Sequence, residues 1–413
     1  MPLTLPQCDE NKPLCNNCHR HGVPCSYRNP TQSSSKSLSS NPIKPTEPVE
    51  PAEPVEPVEP EIDLLQEYDL PNLSLGPPDI HEEWASETPY SSEIDDVTIF
   101  DLRESTSRRL LELRLLQNYI TETSKTFGAC HHAAIRHTWS VEIPKLAFQN
   151  VSLLYQIFSI SALHLLKSEP DNRELLIARE TYQGLASREH RRAVAKLSSK
   201  SADAVCCTSS LIFIDAFASL QERAIEPYEP PMGWLYMARG AGSIFKIGID
   251  NLLDPQDRKE AKILAISDPQ PYFENANKLF EEENRGSLLG LLTQDIPGEE
   301  WNQATREAYE KALSYIGWVQ RTIDDGENVL GVCRRFMAFA ILAPKSFIEF
   351  VEERRPRALV ILAHFFALGF QMREIWWVGK TVQREIQGIQ NVLPPEWQPL
   401  MVQPCLKAGL IIA

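Results

Sequence analysis

From Asp101 onward, apolar residues recur at three- and four-residue steps, the spacing that lines one face of an α-helix. Leu102, Leu110, Leu113, Leu116 and Ile120 form one such series, Leu154, Phe158, Ser161 and Leu165 a second, and Leu176, Arg179 and Gln183 a weaker third. The pattern predicts helices over 101–124, 151–167, 171–198, 202–222, 232–247, 299–322, 329–342 and 356–377. Asp171, Ser201 and Asp203 are the expected N-caps, and Pro144, Pro170, Pro230, Pro231, Pro344 and Pro356 punctuate the segments. Strand-like alternation with hairpin turns is not found, so residues 101–413 read as one large all-α domain. Leu211 to Ile214, Phe217 and Leu359 to Phe370 are apolar on more than one face and are expected to form its central layer.

Ahead of this body the pattern is different. A Ser-rich run from Ser33 to Ser40 gives way to Pro-Glu repeats from Glu47 to Glu61 and then to a mixed acidic stretch. Residues 31–100 hold sixteen Asp and Glu against Lys36 and Lys44, so most of the chain's formal charge of −15 lies here. Such a segment buries too little apolar surface to offset the entropy of ordering and is expected to be a disordered, self-repelling linker. Within it Leu64, Leu65, Tyr68, Leu70, Leu73 and Leu75 are interleaved with acids, a composition also seen in segments that fold onto partners, although a plain linker is the simpler reading.

With 413 residues, 43% of them hydrophobic, the chain is too long for a small disulfide-stapled fold. Its best apolar run, Ala358 to Met372, is broken by His364 and flanked by Arg357 and Arg373, so no membrane span is expected. Met1 to Glu10 lacks the basic and apolar regions of a signal peptide, and a soluble intracellular protein is the expectation. An odd total of nine cysteines without an export signal argues for reduced thiols.

Four of those cysteines fall in the first 25 residues with the spacing Cys8-x6-Cys15-x2-Cys18-x6-Cys25. Zinc takes four soft, deprotonated ligands in a tetrahedron, and a Cys-x2-Cys knuckle with flanking cysteines supplies them. Pro13 stiffens the approach to Cys15, and Gly22-Val23-Pro24 turns the chain so that Cys25 returns to the knuckle.

The run Cys8-Asp-Glu-Asn-Lys-Pro-Leu-Cys15-Asn-Asn-Cys18-His-Arg-His-Gly-Val-Pro-Cys25-Ser-Tyr27 resembles the third to sixth cysteines of the fungal zinc binuclear cluster, in which six cysteines hold two zinc ions. The resemblance implies that Cys15 is a bridging thiolate, that Cys8 belongs to the first ion, and that Cys18 and Cys25 belong to the second. The family's first two cysteines, and the basic helix that contacts bases, have no counterpart, since Met-Pro-Leu-Thr-Leu-Pro-Gln precedes Cys8. Residues 1–30 therefore read as a partial DNA-binding module with Lys12, Arg20 and Arg28 as its cations. Two readings stay open: a start that omits a first exon, favoured by the abruptness of the match, and a variant that has lost DNA contact.

A second resemblance lies in the body. His131-His132 through Trp139, Ile143 to Phe148, and Leu153 to Leu165 resemble the opening of the helical regulatory region in fungal regulators related to sterol uptake control proteins, and Arg355 to Phe365, Trp376-Trp377, Gly379, Trp397 and Pro404 resemble its close. The resemblance implies a regulator of transcription by RNA polymerase II, in the nucleus or shuttling with the cytoplasm, whose body senses a sterol, another apolar ligand or a partner and acts on the transcription machinery; no heptads follow Cys25, so a homo- or heterodimer stays open. A DNA-binding-deficient co-regulator is the alternative. A helical isoprenoid-processing enzyme is the remote one, because Asp324-Asp325-Gly326-Glu327 is faintly like a diphosphate-binding motif. Cys130, His131, His132 and His137 read as cap or surface residues, and His164 and His364 as satisfied core histidines.

Overall fold

The computed structural model describes residues 105–252, 260–267, 276–293 and 301–410. The cysteine-rich segment 1–30 and the linker 31–100 lie outside the described residues. Among the described residues there is no strand, in agreement with the all-α reading. The helices of eight residues or more are α1 (Thr106–Thr121), α2 (Val151–Leu165), α3 (Arg173–Val194), α4 (Ser199–Ser219), α5 (Met232–Asp250), α6 (Gln303–Asp324), α7 (Val329–Leu342), α8 (Lys345–Glu352), α9 (Pro356–Leu368) and α10 (Thr381–Val392). Shorter turns of helix fill 133–147 and 395–407.

Helix starts are set by side chains that satisfy otherwise orphaned backbone N–H groups. Ser105, Asn172, Asn302 and Asn328 cap α1, α3, α6 and α7 in this way. The expected caps at Asp171, Ser201 and Asp203 are therefore displaced. Asn172 replaces Asp171 because its amide oxygen accepts from both Glu174 N and Leu175 N. Ser198 starts α4, and Ser201 is its reciprocal partner three residues on in a capping box. Asp203 lies inside α4 and instead accepts the backbone N–H of Ile263 at 2.9 Å.

One continuous core runs through the described body. On one side α2 lies against α1, α3 and α4, and α4 against α5. On the other, α9 lies against α6, α8 and α10, and every residue from Arg357 to Leu368 is buried. Phe365 stacks on Phe336 and Phe339 at 4.3 and 4.2 Å, while Phe217 meets Trp234, Phe336 and Trp377 edge-on. Trp376 and Trp377 both donate their indole N–H to Thr126, tying the segment after α9 to the segment after α1. Leu211, Phe213, Ile214 and Phe217 are buried with α9 as the central-layer expectation required, whereas Ile212 and Phe370 are only half-buried.

Two of the sequence series are out of register with the buried face. Leu110 and Leu113 are 62% and 61% exposed, because α1 turns Leu115 and Tyr119 inward. Leu176 is 43% exposed on α3, whose inner face is Leu175, Ala178, Arg179, Tyr182, Ala186 and His190. The run over 356–377 ends as an α-helix at Leu368 and tightens into a 3₁₀ turn over Gly369–Met372. By length and composition α4 is apolar enough to cross a membrane, but 72% of its most apolar stretch is buried inside this body.

Candidate metal centre and the helical body

The predicted ligands Cys8, Cys15, Cys18 and Cys25, and the predicted DNA contacts Lys12, Arg20 and Arg28, lie outside the described residues. The body nonetheless bears on them by elimination. Cys130, Cys206, Cys207, Cys333 and Cys405 are all free and buried. Burial pushes the thiols of Cys130 and Cys206 up to about 12, far from the thiolate form that zinc requires. Cys130 donates to Ser124 O, and Cys333 lies 3.1 Å from the Met372 sulfur. No group of three or more His, Cys, Asp or Glu that could hold a metal occurs among the described residues.

The histidines are structural in the same sense. His131 and His132 lie ring to ring at 3.9 Å, and His137 faces Glu142 at 3.6 Å. His164 pairs with Thr123 Oγ1 at 2.8 Å and stacks on Trp376 at 4.4 Å. His190 Nε2 lies 3.0 Å from Ser209 Oγ, a juxtaposition that superficially matches a base and its nucleophile. The Ser209 hydroxyl is within reach of Val205 O of its own helix at 3.0 Å, and His190 Nδ1 has no orienting partner among the described residues. Burial holds the His190 imidazole down at about 4, so both groups sit as packed core polar residues.

The acidic run Asp324-Asp325-Gly326-Glu327 ends α6. Gly326 takes φ +78°, Gly326 N donates to Ile323 O and Glu327 N to Thr322 O, the paired bonds of a Schellman C-cap. Glu327 then turns inward to meet Arg335 at 2.7 Å, and Arg335 also lies over the Trp318 ring. A motif consumed in ending a helix and pairing an arginine has no aligned carboxylates to offer a diphosphate.

Comparison with known proteins decides the class. Residues 6–34 match the fungal Zn(2)-Cys(6) binuclear cluster domain, and residues 114–247 match the fungal specific transcription factor domain. The chain carries both domains of the fungal Zn(2)-Cys(6) transcription factors. It is 29% identical over 364 residues to the Zn(2)-C6 fungal-type transcription factor afumD of Aspergillus fumigatus, which covers 87% of this chain and 81% of the relative. A Zn(2)-C6 fungal-type transcription factor of Gibberella zeae is 29% identical over 94% of this chain and 80% of its own length. Sterol uptake control protein 2 of Candida albicans is 27% identical over 69% of this chain but only 40% of that longer protein.

These two domains mark the chain as a zinc-binding regulator of the fungal transcription factor type, a class that works on DNA in the nucleus, rather than an enzyme. The matched regulatory domain runs from within α1 to the last turns of α5. The shared core and the Trp376 and Trp377 bonds to Thr126 extend the same folded body to residue 410. The matched cluster segment contains four cysteines of the six for which its domain is named.

Proposed function

We propose that Cys8, Cys15, Cys18 and Cys25 hold a single zinc ion, that Lys12, Arg20 and Arg28 contact DNA phosphates, and that the helical body from residue 101 governs this module through a ligand or partner. The observation that carries the zinc assignment is that every described cysteine is a buried core thiol, which leaves the four N-terminal sulfurs as donors. Four thiolates fill one tetrahedral shell; two ions sharing six sulfurs would need two more donors than this sequence supplies. The donor set thus fits one zinc and does not fit the binuclear arrangement. Bound zinc would organise a segment too small to hold itself by a hydrophobic core.

Three cations make few phosphate contacts. For three contacts the logarithm of DNA affinity should fall with the logarithm of salt at a slope of about −2.7, a weak electrostatic grip for one chain. Base reading needs side chains presented to the major groove, and Cys8 to Tyr27 resembles the part of the cluster that follows the base-contacting helix. Pairing with an intact relative would add both phosphate contacts and base reading, whereas a second copy would add phosphate contacts alone. The second reading, a co-regulator that does not itself grip DNA, is favoured by the four-of-six cysteine count.

For the body, the apolar ligand of first choice is a sterol, on the strength of the relatives named for sterol uptake control. The Trp234 indole N–H, buried among Phe213, Phe217, Phe365 and Phe366, has no acceptor among the described residues and is the group a hydroxylated apolar ligand would satisfy. Such binding would set the chain's division between nucleus and cytoplasm. Fluorescence titration with ergosterol should quench wild type and not Trp234→Phe; equal responses would remove the ligand from this site. Gel-shift assays of wild type against Cys15→Ala test the DNA arm, and binding unchanged by the substitution would contradict it.

A further inference from the structure

The outer face of α3 has an uneven chemistry. Its first half shows Leu176 and Ile177, 43% and 56% exposed, and its last turns show Arg188, Arg191 and Arg192, followed past the helix end by exposed Lys196 and Lys200. Glu180 lies between these ends, and Glu189 is shared by Arg188 and Arg192 at 3.3 and 2.9 Å. A Cβ at Gly184, midway along, would meet no atom within 4 Å, so no described residue covers this face. The result is a cationic strip on a body whose residues 101–413 are close to neutral.

The chain itself delivers a complementary segment to this strip. Glu112 of α1 accepts from the Tyr182 hydroxyl at 2.7 Å, and Arg114 pairs with Glu169, just ahead of α3. The earlier α1 residue thus meets the middle of α3 and the later one meets the residues ahead of it, so Ser105 lies on the side of α1 nearer the cationic end. The residues before it, 62–100, contain ten Asp and Glu and neither Lys nor Arg. From Ser105 back to Asp96 the chain can reach about 30 Å. Along α3, Tyr182 and Arg191 are separated by only about 14 Å.

We propose that the acidic segment 62–100 docks in cis on the outer face of α3, with Glu93, Asp95 and Asp96 against Arg188, Arg191 and Arg192. Opposite charges held at high effective concentration by a short tether associate without a large interface. Docking withholds these acids from basic partners and fixes where the chain leaves the body. Anything that binds the strip more tightly, such as nucleic acid phosphates, releases the segment.

Carbodiimide cross-linking of the full chain, which joins a carboxylate to a lysine amine in direct contact, tests this in a mixture of nitrogen-15-labelled and unlabelled protein. The expected result is same-isotope links from Glu93, Asp95 or Asp96 to Lys196 and Lys200, several-fold above links to Lys125, Lys145 and Lys167. They should be lost in Arg188→Glu/Arg191→Glu/Arg192→Glu. Should that variant fold poorly, Glu93→Gln/Asp95→Asn/Asp96→Asn leaves the body unchanged, and its Lys196 and Lys200 should acetylate several-fold faster than in wild type. Equal linking to all lysines, mixed-isotope links in excess, or unchanged acetylation would overturn the proposal.

Discussion

Arg179 of α3 and Asp215 of α4 form an ion pair sealed inside the body, with Arg179 Nη1 2.9 Å from Asp215 Oδ2. Gln156 donates to the same carboxylate oxygen at 2.8 Å, and Ser159 and Ser219 satisfy the guanidinium. Three helices are thus registered by one polar knot at the centre of an otherwise apolar layer.

Removing one partner strands a buried charge. Asp215→Ala should cost about 3 to 5 kcal/mol, whereas an apolar replacement of the pair costs far less. Urea denaturation of Asp215→Ala, Arg179→Met and the double variant Arg179→Met/Asp215→Leu checks this. The double variant should be more stable than Asp215→Ala. A double variant no more stable than Asp215→Ala would show that the two residues do not act as a pair.

Acid should loosen the body before its carboxylates titrate. Burial holds His190 and His364 down at about 4, against an unfolded value of 6.5. Below 6.5 the unfolded chain binds protons that the folded chain refuses, so their contribution is complete above that pH and is lost as pH falls toward 4. Each histidine can contribute a slope of up to about 1.4 kcal/mol per pH unit in that window. Melting temperatures between pH 7 and pH 5 should fall, and His190→Asn/His364→Asn should flatten the fall. A wild-type melting temperature constant over this range would contradict the assignment.

Gly317 of α6 is where the 276–293 segment reaches the bundle. A Cβ there would lie 1.8 Å from the backbone oxygen of Asn284, and that backbone is held by Arg321 on Asn284 Oδ1 at 2.5 Å. Gly317→Ala must push the segment away, at a cost of about 1 to 3 kcal/mol. Hydrogen exchange should rise across 276–293 while α9 stays protected. Unaltered exchange would mean that the segment does not depend on this close approach.

The helical class and most of the central layer over Leu211 to Ile214, Phe217 and Leu359 to Phe370 were legible in residue pattern, because runs apolar on every face are buried whichever way a helix turns. The inner faces of α1 and α3 were not. Leu110, Leu113, Leu176 and Gln183 fit the helical period but stay exposed; of the third series Arg179 alone is buried, and His190 is turned inward to Ser209 of α4. Asn172 and Ser198 likewise compete with plausible caps one to five residues away, and the winner is set by where the preceding turn closes. Helices α8 and α10 are short and fall among polar residues, so their strong one-sidedness emerged only against the aromatic core. The cysteine spacing was the reverse case: the match to the binuclear cluster domain at 6–34 followed from residue order alone.

Zinc content of the full chain, measured by inductively coupled plasma mass spectrometry under reducing conditions, tests the central claim. Wild type and the core variant Cys206→Ala should each carry about one zinc per chain, since one tetrahedral shell takes four thiolates, and Cys15→Ala should carry none. Metal-free wild type, or zinc retained by Cys15→Ala, would contradict the assignment of the N-terminal cysteines.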